Sequence, residues 1–340
     1  MKHRILFSKR ILLLAVTLFV TSVLYAQVYN GDLTLSTQAE VNAFNYSSIN
    51  GDLMISGADI ADLSALSSLT TVGGHLSIQD NTALTDIDGL SALNSVVGYL
   101  YIQDNAVLIN IDGLSALTSI SGDMRIWNNT VLINIDGLLT LASVGGCVDI
   151  SYNTALVNVD GLTGLAFVNS YLRIGDSDGL LNINGLSGIT YIGGFLILAG
   201  NDALGNIDGL SALNSVGGLV EISNNAALIN IDGLSALTSV VSYLSIAHNA
   251  TLSNIDGLSA LTSVGGSLRI NNNMVLDDFC GLYLLLQYGG PNGPILIHHN
   301  AANPNEQEIL DVCAPLIPLS NRALVMFFLL VGISILLKYR

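Results

Sequence analysis

Positive charge is scarce in this chain. Of 340 residues only 10 are Lys or Arg, against 26 Asp or Glu. The bases sit mostly at the ends: Lys2, Arg4, Lys9 and Arg10 at one, Arg322, Lys338 and Arg340 at the other. Only Arg125, Arg173 and Arg269 stand among the acids, all of which fall between Asp32 and Asp311, so that stretch carries a formal charge of −23. Neutralising phosphates takes clustered Lys and Arg, so the composition excludes a nucleic-acid binder and predicts repulsion from anionic membrane surfaces. Charged residues of either sign make up only 11% of the chain, while 51% is hydrophobic and 34 residues are glycine. That is not ordinary globular composition, and length alone does not give the number of domains.

Long apolar runs are also missing, and the two shorter ones lie at the termini. At the N-terminus a basic stretch precedes the apolar Ile11 to Val20 and a small residue, Ala26. This order predicts a secretory signal over residues 1–26, with an uncleaved anchor as the alternative. At the C-terminus Ala323 to Leu337 is apolar and is closed by Lys338, Tyr339 and Arg340. Fifteen helical residues reach about 22 Å, short of a hydrocarbon core of roughly 30 Å. The order of Pro318–Asn321, apolar segment and basic tail resembles bacterial C-terminal sorting signals of the PEP-CTERM and IPTL-CTERM kind. Arg322 departs from that pattern, which commonly has an aromatic there. The resemblance implies a sorting protease acting on residues 315–340. A plain membrane anchor through residues 323–337 is the alternative.

What is present between the ends is one repeat. Leu or Ile recurs every 24 residues from Leu69 to Leu261, defining nine coils over residues 69–284 with the consensus LTSVGGxLxIxxNxxLxNIDGLSA. In the first coil the apolar positions are Leu69, Val72, Leu76, Ile78, Leu84, Ile87 and Leu90. Their spacing fits neither one long helix nor one long strand but a chain that turns several times per coil. Leu76 and Ile78 flank one outward residue, as in a strand. Gly73 and Gly74 before it and Asn81 after it read as turn residues, and a second extended piece is expected to end at Asp88-Gly89. Stacked about 4.8 Å apart, nine coils extend roughly 43 Å around a continuous Leu/Ile/Val core. Residues 27–68 hold two degenerate coils, GDLTL and GDLMI, expected to cap that end. The period dissolves after Leu282, and residues 285–314 are expected to cap the other.

The motif GGxLxIxxNxxLxxIDGL, over roughly residues 31–284, resembles the receptor L-domain-like relatives of leucine-rich-repeat proteins. The resemblance implies an all-β, right-handed parallel β-solenoid, and a role in ligand binding at a cell surface, here a bacterial one.

Candidate chemistry is sparse. A row of acids, Asp88, Asp112, Asp136 and Asp160, continues as Asn184, Asp208, Asp232 and Asp256. Stacked carboxylates repel, which leaves two readings: each Asp accepts backbone N–H groups in its own turn, or the row holds weak Ca²⁺ sites. The GGxGxD spacing of known calcium repeats is absent. A second row from Asn81 to Asn273, interrupted by Ser177, reads as an inward asparagine ladder. The adjacent His298 and His299 are expected on opposite faces of a strand, which argues against a shared metal. Of the three cysteines, Cys280 and Cys313 are expected to form a disulfide in a secreted protein, and Cys147 has no base beside it in the repeat. No paired carboxylates break the repeat, and the repeat has no lysine, so an enzyme, glycosidase or lyase, is the least favoured class. The expectation includes no cofactor beyond that Ca²⁺.

An internal repeat separates positions that are constant, and serve the fold, from those that vary. The variable positions flank the strand and include Tyr99, Tyr101, Arg125, Trp127, Tyr171, Arg173, Tyr243 and Arg269. Tyr, Trp and Arg are the residues enriched at binding hot spots. The sequence therefore predicts a binding or adhesion module for a surface protein or carbohydrate, secreted to the outer envelope. A purely structural envelope or matrix protein is the alternative from another class.

Overall fold

The computed structural model describes residues 27–314. The expected signal at 1–26 and the tail at 315–340, including Arg322 and the Ala323–Leu337 run, lie outside the described residues. Among the described residues no helix is long and apolar enough to cross a membrane.

Each coil follows one path, shown by the coil that begins at Leu93. A two-residue strand, Ser95–Val96, is followed by a turn and a four-residue strand, Leu100–Gln103. Asp104 then takes a left-handed conformation (φ 57°), Asn105 turns inward, and Asp112–Leu114 forms a 3-10 turn. Along the long strand Leu100 and Ile102 are buried while Tyr101 and Gln103 are half-buried, the alternation expected of a strand with one face on a core. The second extended piece therefore lies before the glycine pair and not before Asp-Gly. The IDGL segment is a 3-10 turn, because Ser91, Ser115 and their counterparts return their N–H groups to the Asp carbonyl three residues back.

The long strands form one twelve-stranded parallel sheet in chain order, from Leu33–Leu35 to Ile295–His298. The short strands form a six-stranded sheet and a five-stranded sheet that follows it. Every strand pairing is parallel, so the chain is a β-rich stack of coils with a repeating strand and 3-10 turn pattern. Leu33, Leu53, Leu76 and Leu100 stand in register, which makes the first two coils 20 and 23 residues long before the 24-residue period settles. The register continues from Leu268 to Ile295, so residues 285–314 contribute one more rung as well as a cap.

Two devices hold the coils at strand spacing. The glycine of each DGL turn sits against the previous coil: a Cβ on Gly113 would collide with the carbonyl oxygen of Ile87. The asparagine row is a buried ladder. Asn129 accepts at Oδ1 from the N–H of Asn105 (3.2 Å) and donates from Nδ2 to the carbonyl of Ile102 (2.9 Å). Its own N–H is taken by Asn153 Oδ1 at 3.0 Å. Such polar groups are stable at zero exposure only because their partners are supplied by the neighbouring coils. Ser177 keeps one link, accepting from the Asn153 N–H, and the ladder runs beyond the repeat to Asn300.

The ends are closed differently. Helix α1 (Gln38–Asn42), capped by Thr37 and Glu40, lies over the first coils, beside an edge-to-face cluster of Tyr29, Tyr46 and Phe44. At the far end are α2 (Tyr283–Gln287) and α3 (Glu306–Cys313), the latter capped by Asn305 and Glu308. Cys280 and Cys313 are bonded, with a Cα–Cα distance of 5.2 Å, tying α3 to the last 3-10 turn.

Candidate functional site

The outer face of the twelve-stranded sheet draws on four positions of the coil, the residue before the long strand, its second and fourth residues, and the left-handed residue after it, though Cys147, Ser151, Gly175, Ser223 and Ala247 at these positions are buried. Parallel register places equivalent positions side by side, so the Tyr, Trp and Arg residues of successive coils meet.

His75 and Tyr99 stack at 3.9 Å with 7° between planes, and Tyr99 stacks on Tyr101 at 5.3 Å. The Arg125 guanidinium lies 5.2 Å from the centre of the Tyr101 ring and pairs with Asp123 at 3.3 Å. On the same strand Trp127 meets Tyr152 edge to face at 5.0 Å. Arg173 lies 5.9 Å from the Tyr152 ring and pairs with Asp176 at 2.8 Å. Tyr171 stacks on Phe195 at 4.3 Å. Six of the eight residues singled out in the sequence, from Tyr99 to Arg173, thus form one patch over successive coils. Tyr243 and Arg269 make a separate pair, 5.9 Å apart, beyond the coil carrying Leu219 and Glu221.

The stacking direction has a chemical consequence. Rings piled coil on coil turn their faces to one another and leave edges and hydroxyls toward solvent. A sugar platform needs a free ring face. In this patch the Tyr99 face is covered by His75 and Tyr101, and Phe195 covers a face of Tyr171. The patch offers hydrogen-bond donors, guanidinium groups and the exposed Trp127. Burial pushes the Tyr101 and Tyr171 hydroxyls above their ordinary range.

Other residues on this face serve the fold. His75 Nδ1 accepts from the Tyr99 N–H at 2.9 Å, and Asp123 Oδ1 accepts from the Cys147 N–H at 2.9 Å. Cys147 does not project as an outward variant would: it is buried, and burial raises its thiol above the usual range, away from a reactive thiolate.

The Asp row differs from the reading in which each Asp accepts in its own turn. Among the described residues the carboxylates of Asp88, Asp112, Asp136 and Asp160 accept no hydrogen bond from their own turns. The cap is the side chain two residues earlier: Asp86, Asn110, Asn134 and Asn158 accept the Asp N–H at 2.9 to 3.2 Å. Desolvation, then neighbouring carboxylates, raises Asp88, Asp136 and Asp256 above the usual range. Among the described residues no three His, Cys, Asp or Glu side chains converge as a metal site.

Sequence reasoning passed over two features. Tyr152 holds a left-handed conformation (φ 60°) where most other coils place Asp, Asn or Gly. A bulky residue there is strained, and strain of this kind clusters at functional sites. The departure from Asp/Asn was visible in the repeat. The other is an apolar row, Ile109, Ile133, Val157 and Leu181, exposed or half-buried at the variable position before the Asn-Ile/Val-Asp/Asn turn.

Compared with known proteins, the chain matches no protein-family model and no curated sequence.

Proposed function

We propose that this chain is a binding module that holds a protein partner on the patch from Tyr99 to Arg173. The observation that carries the reading is the convergence of Tyr101, Arg125, Trp127, Tyr152 and Arg173 over successive coils. Aromatic and guanidinium groups concentrate binding energy, and rigid strands cost little entropy to order. The covered ring faces favour a protein surface over a stacked glycan. We place the fold with the receptor L-domain-like, leucine-rich-repeat-related solenoids and propose a right-handed coil. The terminal segments support export to the outer envelope of a bacterium, with residues 1–26 as the signal. Residues 315–340 would then be a sorting signal read by a membrane protease, or an anchor through residues 323–337. Acid excess over the solenoid argues against a nucleic-acid partner, and the reading contains no catalytic step.

A second reading, a structural envelope protein without a specific ligand, is favoured by one observation. His75 and Asp123 spend their acceptors on the backbone of the next coil, so part of this face serves stacking. The two readings separate in a capture experiment with envelope extracts and a glycan array, comparing the protein with its Tyr101→Ala/Trp127→Ala variant. The binding reading predicts a saturable protein ligand lost in the variant. Capture of the same species by both proteins, or of none, supports the structural reading, and a glycan hit reassigns the ligand class.

A further inference from the structure

Beyond the strand patch, the last rung of the sheet brings together two histidines that strand alternation would keep apart. His298 ends the strand Ile295–His298, and His299 occupies the left-handed position that follows (φ 57°). That bend swings the second imidazole back toward the first. The two Nδ1 atoms share a hydrogen bond at 2.9 Å, one imidazole donating to the other, with the rings at 87° to each other, and both side chains are exposed. The expectation of opposite faces fails here because His299 does not continue the strand.

The bite of this pair is informative. Two nitrogens bound to one metal at about 2.0 Å lie roughly 2.8 Å apart at a right angle and about 3.3 Å apart at a tetrahedral angle. An ion taking the place of the shared proton at this separation would be held near the right angle of tetragonal Cu²⁺ or Ni²⁺. Beside the pair, Asn271 is the register partner of His298 on the neighbouring strand, and its Oδ1 is buried without a hydrogen-bond partner.

We propose that His298 and His299 form a bidentate site for a tetragonal divalent transition metal, Cu²⁺ ahead of Ni²⁺, at the C-terminal end of the solenoid. Water fills the remaining positions, and neutral imidazoles supply the two nitrogens. The site is independent of the aromatic patch. His248, on the same column two coils earlier, faces Asn272 at 3.4 Å and has no second imidazole, so it is a matched control.

The test is a Cu²⁺ titration of the full chain carrying His3→Ala, so that a histidine near the amino terminus does not compete. It is followed by isothermal calorimetry and electron paramagnetic resonance. One equivalent should bind with a tetragonal spectrum and nitrogen hyperfine structure, and Zn²⁺ should bind at least tenfold more weakly. His298→Ala and His299→Ala should each weaken Cu²⁺ at least tenfold with circular dichroism unchanged, while His248→Ala should not. Equal Cu²⁺ affinity in either imidazole variant, no saturable equivalent, or Zn²⁺ bound as tightly as Cu²⁺ would overturn the assignment.

Discussion

At the scale of single residues the repeat makes departures legible, because each position has the other coils as its control. Tyr152 sits where Asp80, Asp104, Asn128 and Asn224 take the same left-handed backbone at low cost. Replacing it with Asn should raise stability by about 1 kcal/mol in chemical denaturation while weakening partner capture. A variant that is neither more stable nor a weaker binder removes the argument from strain. The ladder predicts the opposite kind of outcome. Asn129→Ala strands the buried Asn105 N–H and the Ile102 carbonyl, and should cost about 2–6 kcal/mol at about 1–3 per orphaned group. Asn129→Ser should cost roughly half of that, since Ser177 already serves as a one-link rung. The ladder's inward position was readable from its recurrence. The turn role of the Asp row was misassigned because the repeat shows only that Asp recurs, not that the acceptor stands two residues earlier.

At the scale of elements, the 3-10 turns stack one carboxylate above another, and their raised affinity for protons fixes the sign of a pH effect. A carboxyl whose folded-state pKa lies above its unfolded value penalises the fold when ionised. The penalty is fully present above the folded pKa and is relieved as pH falls through it toward the unfolded value. Asp136→Asn should therefore stabilise the protein at pH 7, by about 0.5 kcal/mol or less for so exposed a group. The gain should shrink in high salt and vanish below about pH 4, which thermal melts across pH and ionic strength would check. Asn184 already stands as a neutral member of the row. The terminal elements predict a larger effect. Replacing Cys280 and Cys313 with Ser frees α3 from the last turn and should lower stability by about 3–4 kcal/mol in denaturant melts. The strand at Leu76–Gln79 and its counterparts follow from apolar alternation. The short strands before the glycine pair escaped notice, since two residues are too few to show a period, and the Ile295–His298 rung escaped because its spacing is 27 residues and not 24.

At the scale of the whole molecule, a stack of near-identical coils turns a linear sequence into columns, and a column is a surface on which a few substitutions are multiplied into a patch. The constant rows are spent on the core, the glycine contacts and the asparagine ladder. The variable rows are free of those duties, and they hold all three arginines of the solenoid. The sequence showed which residues vary and that they share a face. It did not show that Tyr99 would stack between His75 and Tyr101, or Tyr171 on Phe195, because ring orientation depends on the neighbouring side chains. The account places binding on the Tyr99 to Arg173 patch and not on the distant Tyr243 and Arg269 pair. The direct test is partner affinity for Arg125→Ala/Trp127→Ala beside Tyr243→Ala/Arg269→Ala, with both melts recorded. A loss of at least a hundredfold in the first and less than threefold in the second is the predicted result, as two hot-spot truncations are worth about 3 kcal/mol or more. Equal losses in both, or a loss only in the second, would contradict it.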